Sequence, residues 1–420
     1  MAFQPVLQAR IEEFLLGVPG ASPSPFFATL NTPSPDYPCL ALGPSQTQGD
    51  WRAVWGPVVY QAPLNPGATN MMFVAHSPSL NTYVVAIAGT NPTGDTALFV
   101  EDLDVAPAKM VSWPPGVNPA TMPPTLNWTS PAAPSPTLCL IDAGTADGIG
   151  VLYTMRDSTT QATLAAFLNG VSQSGQTLVF TGHSLGGALS PTMAMLLYPN
   201  AASSTNPNNA ARPNLGSKWA NVFILPTAGP TPGTAAFAAL FAGPYAPAAT
   251  NVPKNPPIVP FLNWNMIYAN SWDVMPLAWN ELAGLVQLPV SLNADYNSFF
   301  AQNSQLATRV DGIGLFAAGP DTYGSVQASM RKSGYGANGT PWYVPCLQHA
   351  PFTGNWGKWA PKATTYPNIW NADIPPSQLP TPQTIATMSD LVPWILNAHL
   401  GQYSKALLGF PCPTLEDVSA

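Results

Sequence analysis

A chain of 420 residues suffices for one large α/β domain or two ordinary ones. With 46% apolar and only 8% charged residues it can bury a core, leaving polarity to Asn, Thr, Ser and Gln. The net charge of −7, from 13 basic and 20 acidic residues, leaves no basic stripe to neutralise a phosphate backbone, which excludes nucleic acid as a partner.

The first apolar segment carries Arg10, Glu12 and Glu13, unlike the basic-then-apolar layout of a signal peptide. Residues 20–66 are rich in Pro, Ser and Asn with aromatic anchors at Trp51, Trp55 and Tyr60, so residues 1–70 read as a wrapping segment of loops. Met71–Ala75 and Thr82–Ala88 are β-branched or apolar runs joined by a turn-rich link, which predicts a hairpin. From Val105 to Thr137 nine prolines, with Trp113 and Trp128, predict a long irregular loop, and residues 91–137 form a candidate lid.

Residues 144–170 carry a helical pattern, with Leu152, Leu164, Phe167 and Leu168 sharing one face. Thr177–Thr181 reads as a buried strand, Gly182–Gly187 as a glycine-rich corner and Ala188–Tyr198 as an apolar helix. Asn221–Leu225 and Asn265–Ala269 read as further strands flanking an Ala-rich helix near 234–242. Strands alternating with helices predict a largely parallel sheet covered on both faces. No unbroken apolar span of about twenty residues occurs, so no transmembrane helix is predicted.

Cys39, Cys139, Cys346 and Cys412 and the four histidines are too scattered for a close-spaced metal-ligand pair, so no zinc site is expected. Two disulfides and four free buried thiols both stay open.

Gly182-His-Ser-Leu-Gly186 fits the G-x-S-x-G nucleophile elbow and falls between a predicted strand and a predicted helix, where that motif works. Glycines two before and two after the serine remove Cβ atoms that would collide, pushing Ser184 into a cleft. The following helix start aims free N–H groups at any oxygen beside that serine. A serine nucleophile needs a base, and the base needs an orienting carboxylate. No Asp or Glu occurs between Asp157 and Asp273, so Asp273 is the first carboxylate after Ser184, and it follows a strand end. Only His349 and His399 lie beyond it. His399, after the apolar segment Leu391–Ala398, is the favoured base; His349 sits in a Pro-, Gly- and Trp-rich region that looks inserted. His76 and His183 read as packed core histidines.

Several segments, in order, resemble the class 3 (fungal-type) lipases of the α/β-hydrolase superfamily. They are Val84–Thr90, Phe99–Asp104, Gly182–Ala188, Asn270–Leu277 with Asp273 inside it, and His399-Leu-Gly-Gln-Tyr403. The resemblance implies an α/β-hydrolase fold: a mostly parallel central sheet with helices on both faces and long Pro-rich insertions. It implies a hydrolase domain over 71–410, an insertion at about 285–380 and a tail at 411–420. It also implies a triad of Ser184, Asp273 and His399, with Thr90 and the Leu185 N–H as oxyanion donors, Asp102 orienting Thr90, and Gly182 and Gly186 in support.

The sequence departs from the family in lacking an arginine in Thr227–Gly233, in the length of the tract between Asp273 and His399, and in its first seventy residues. The implied activity is hydrolysis of a carboxylic ester, foremost an acylglycerol, at a transient lipid–water interface and without cofactor or metal. A short-chain, aryl or cinnamoyl esterase or a polyester hydrolase is the alternative. A catalytically silent lipid- or partner-binding relative is a reading of another class, against which the ordered triad residues argue. Low charge with abundant Pro and Asn resembles secreted hydrolases, and an extracellular location is the expectation.

Overall fold

The computed structural model describes residues 51–62, 69–89, 105, 107–171, 175–199, 219–249, 263–270, 273, 275–277, 342–352, 399 and 403. The predicted hairpin forms from β2 (Asn70–Ser77) and β3 (Thr82–Ile87), paired antiparallel in unbroken register from Met72 opposite Ile87 to Ser77 opposite Thr82. From β3 onward the ladder turns parallel through β8 (Thr177–His183) and β9 (Asn221–Thr227), then β12 (Met266–Asn270) and β13 (Gln348–Phe352). β10 (Ala248–Ala249) and β11 (Asn263–Trp264) pair separately. With β1 (Arg52–Tyr60) antiparallel on β2, the sheet among the described residues has seven strands in the order β1-β2-β3-β8-β9-β12-β13. This is the mostly parallel α/β-hydrolase sheet.

Two strands lie where loops or insertion are expected. β1 falls inside the stretch read as wrapping loops, so the first described strand of the sheet starts at Arg52, ahead of the predicted hairpin. Its pairing shifts register between Ala53 and Val58, around Gly56-Pro57, which breaks the alternation that marks a strand. Trp55 inserts into the core and donates from Nε1 to Ala162 O at 3.0 Å, while Gly56 N–H donates to Asp157 Oδ2 at 3.0 Å. β13 falls inside the expected insertion and is the last strand of the sheet among the described residues, a position where Pro351 is tolerated.

The helices follow the same logic. The single helical pattern over 144–170 resolves into α1 (Ala143–Thr154) and α2 (Leu164–Val171). Between them Asp157 gathers the N–H groups of Thr159 and Thr160 and the Thr160 hydroxyl, a turn that outcompetes helix continuation. α1 starts on Asp142, whose carboxylate accepts from Thr145 N–H at 2.6 Å as an N-cap. α3 (Leu185–Leu197) is buried at every position, as expected for a helix apolar all round, and it packs on β8 and β9 with α1 beside it against β2. α4 (Ala235–Ala239) is shorter than its Ala-rich sequence suggests.

The proline-dense stretch is also more ordered than expected. It contains β4 (Val111–Ser112), β5 (Gly116–Asn118) and β6 (Thr125–Asn127), and β7 (Leu140–Ile141), which follows it, pairs with β4. Trp113 is buried edge-on to Phe237 of α4, so this aromatic serves the core. Of the candidate lid, residues 91–104 and 106 lie outside the described residues, as do the N-terminal segment 1–50, much of the 285–380 tract and the 411–420 tail.

Side chains from all four helices join one large core on one face of the sheet. The opposite face holds a second cluster, with Trp51, Phe73, Val179, Leu225, Trp264, Tyr268 and Tyr403. Cys139 and Cys346 are free thiols; burial pushes them up to about 11 and about 12 respectively, so both stay protonated near neutral pH. Among the described residues no helix is long and apolar enough to cross a membrane, and no cluster of three potential metal ligands occurs.

Candidate active site

The parallel strands all end at one edge of the sheet, and there the backbone is most crowded. At the end of β8, Ser184 takes φ 57° and ψ −126°, the left-handed side of the map that a non-glycine residue occupies only under strain of about 1–3 kcal/mol. Its main chain is held on both sides: Ser184 N–H donates to Thr227 O at 3.2 Å, and Ser184 O accepts from Gly187 N–H at 2.8 Å. The hydroxyl makes no capping bond to α3.

The glycines around it are demanded by close approach. A Cβ on Gly182 would fall 2.3 Å from Gly186 O, and one on Gly186 would fall 2.2 Å from Ile87 O and 2.7 Å from Ala88 O. The chain leaving β3 therefore runs against the first turn of α3. Thr90 and Asp102 lie outside the described residues; Leu185, the first residue of α3, is buried beside Ser184.

Asp273 follows β12 and is almost fully buried, turned back by its own N–H bond to Asn270 O at 2.9 Å. Among the described residues its carboxylate meets three polar partners. Oδ1 accepts from Met275 N–H at 2.9 Å; Oδ2 accepts from the Tyr403 hydroxyl at 2.8 Å and pairs with His399 Nδ1 at 2.9 Å. That last bond joins residues 126 apart in the chain. Tyr403 is itself seated by Asn270 N–H, which donates to its Oη at 2.9 Å.

The base candidate stands next to the elbow. The His399 ring lies 4.7 Å, centroid to centroid, from that of His183, the residue before Ser184, and Tyr403 meets His183 edge-on at 5.1 Å. His183 pairs through Nδ1 with Thr227 Oγ1 at 2.8 Å. Burial, and secondarily the neighbouring His399, hold His183 well below the usual imidazole range, so it is neutral.

His349 does not join this group. It sits mid-strand on β13 opposite Ile267, and burial lowers it to about 4, so it too is neutral at ordinary pH. His76 stacks on Tyr83 in the β2–β3 hairpin. Tyr403 and Thr227 are the site neighbours that reasoning from residue types did not single out. The only signal for Tyr403 was its place four residues after His399, and Thr227 carried none.

The fold and this arrangement define a serine ester hydrolase built on the α/β-hydrolase frame. Residues 84–263 match the family described as lipase (class 3). Among solved structures it is similar to M37 lipase, at 20% identity and a TM-score of 0.50, with 84% of each chain covered. It is also similar to the triacylglyceride lipase of Rhizomucor miehei (17% identity, TM-score 0.31, 57% of this chain and 63% of that one). The Lip2 lipase of Yarrowia lipolytica is a third (14% identity, TM-score 0.36, 64% of this chain and 71% of that one). A search of curated proteins gave no match.

Proposed function

We propose that this protein hydrolyses acylglycerols through a Ser184–His399–Asp273 acyl-enzyme mechanism. The observation that carries the reading is the His399 Nδ1 to Asp273 Oδ2 contact of 2.9 Å, standing against the residue that precedes a strained serine elbow. In this reading Ser184 Oγ attacks the ester carbonyl carbon and gives its proton to His399 Nε2. Asp273 fixes the tautomer with Nδ1 protonated and offsets the charge of the imidazolium. His399 then protonates the departing alcohol, and later takes a proton from the water that releases the acid. Leu185 N–H, at the positive end of α3, and Thr90 stabilise the oxyanion, with Asp102 orienting Thr90; one such donor is typically worth about 3 kcal/mol.

An acylglycerol substrate is supported by the class 3 lipase match and by the scarcity of charge in the chain. The test is a chain-length profile on nitrophenyl esters and emulsified triacylglycerol, run beside Ser184→Ala. Turnover of long-chain and emulsified substrates that vanishes in Ser184→Ala supports the proposal. Activity confined to acetyl or aryl esters would move the protein to the esterases, and turnover surviving in Ser184→Ala would end the mechanism.

A further inference from the structure

His183 is placed unusually for a core histidine. It is the last residue of β8, it is 2% exposed, and it meets three residues of the site, Thr227, His399 and Tyr403. On one side its Nδ1 meets the Thr227 hydroxyl, whose residue also accepts the Ser184 N–H through its carbonyl. On the other side its ring faces the His399 imidazole and the Tyr403 ring. His399 and Tyr403 are the two described residues of the C-terminal segment, and both touch this ring.

We propose that His183 is a positioning residue for His399: clamped by Thr227, its ring braces the imidazole of the base and sets where that base stands relative to Ser184. The proposal rests on the triad reading above. Asp273 fixes one end of the His399 ring through Nδ1 but leaves it free to swing about that bond, and a second, rigid surface is needed to hold Nε2 on the line to Ser184 Oγ. A planar ring anchored to β9 supplies one.

The chemistry also requires that ring to be uncharged. When His399 becomes an imidazolium, a second cation with its centroid 4.7 Å away would oppose it. Among the described residues the titratable groups facing His183 are His399, Tyr403 and, behind both, Asp273, whose carboxylate pairs with His399 and not with His183. The positive charge is therefore directed to His399. A Lys or Arg here would defeat the site, and an aliphatic residue would leave Thr227 Oγ1 without its partner.

The experiment compares kcat and KM on a soluble short-chain ester for His183→Phe, His183→Gln and Thr227→Val, with melting temperatures, alongside Ser184→Ala and His399→Ala. His183→Phe keeps a flat ring but cannot bond Thr227; His183→Gln keeps a polar tip that can. Misplacing the base by a fraction of an ångström lowers kcat by about tenfold to a hundredfold and leaves substrate binding alone. The expected result is a folded His183→Phe with kcat down at least tenfold, KM within twofold of wild type, and severalfold recovery in His183→Gln.

A folded His183→Phe with wild-type kcat, or one in which KM alone changes, overturns the proposal. So does a kcat loss that Gln does not relieve. If His183→Phe fails to fold, Thr227→Val decides: a severalfold loss of kcat at unchanged KM supports the brace, and wild-type kinetics refute it. Turnover surviving in both Ser184→Ala and His399→Ala would instead mark a failure of the triad reading.

Discussion

Replacing Tyr403 by Phe tests how tightly the carboxylate end of the site is built. The hydroxyl makes two bonds in the wild type, donating to Asp273 Oδ2 at 2.8 Å and accepting Asn270 N–H at 2.9 Å, and the residue is 2% exposed. The Phe ring fits the same space, so the change removes one oxygen and little packing. Asp273 loses the hydroxyl donor to Oδ2, a buried bond of the kind worth about 1–3 kcal/mol, and the buried Asn270 N–H loses its acceptor at a cost of about 1–3 kcal/mol. The two losses share one atom and do not add fully, so Tyr403→Phe should destabilise the protein by about 2–4 kcal/mol.

His399 keeps its own bond to Asp273 but gains freedom as the carboxylate loosens, and kcat should fall by about tenfold, or roughly 1.4 kcal/mol in the barrier. Urea denaturation at pH 7 and initial rates on a soluble ester measure the two effects separately. A variant with the wild-type urea midpoint and wild-type kcat would refute the reasoning, since it would mean that the hydroxyl is not seated between Asn270 and Asp273.

Two further outcomes follow from the same geometry. Gly186→Ala places a methyl 2.2 Å from Ile87 O, where both partners are backbone, so it should abolish soluble expression or cut turnover by more than a hundredfold; circular dichroism and rates decide, and near-normal activity would contradict the crowding at the elbow. His349, lowered to about 4 by burial, binds a proton in the unfolded chain below about 6.5 but not in the folded one until about 4. Its contribution is complete above pH 6.5 and is lost progressively as the pH falls to 4, by about 3 kcal/mol in all. His349→Leu should therefore flatten the fall in urea midpoint between pH 7 and 4.5, and an unchanged slope would refute that assignment.

What could be seen in the sequence divides along physical lines. The elbow was legible because its constraints are local: Thr177–Thr181 must be a strand, α3 an apolar helix, and Gly182 and Gly186 must lack a Cβ for the chain to turn between them. Asp273 and His399 could be named because so few charged and imidazole groups were available downstream, and the structure joins them across 126 residues. The oxyanion candidate Thr90 and its partner Asp102 stay expectations.

β1 hid because Gly56-Pro57 breaks the two-residue alternation, and its membership depends on Trp55 reaching Ala162 and on Asp157 holding Gly56. β13 hid because Gln348-His-Ala-Pro-Phe carries a proline that only an edge strand accepts. The split between α1 and α2 turned on one carboxylate, Asp157, taking the backbone for itself. His183 read as a packed histidine because its partners, Thr227 and His399, are brought to it only by the folded sheet.

The most direct measurement of the central claim is fluorophosphonate labelling followed by peptide mapping in the wild type, His399→Ala and His349→Ala. One phosphonyl group on the peptide containing Ser184, formed at the wild-type rate in His349→Ala and slowed by several orders of magnitude in His399→Ala, is the predicted result. Label on any other residue, or a reaction that depends on His349 and not on His399, would contradict it.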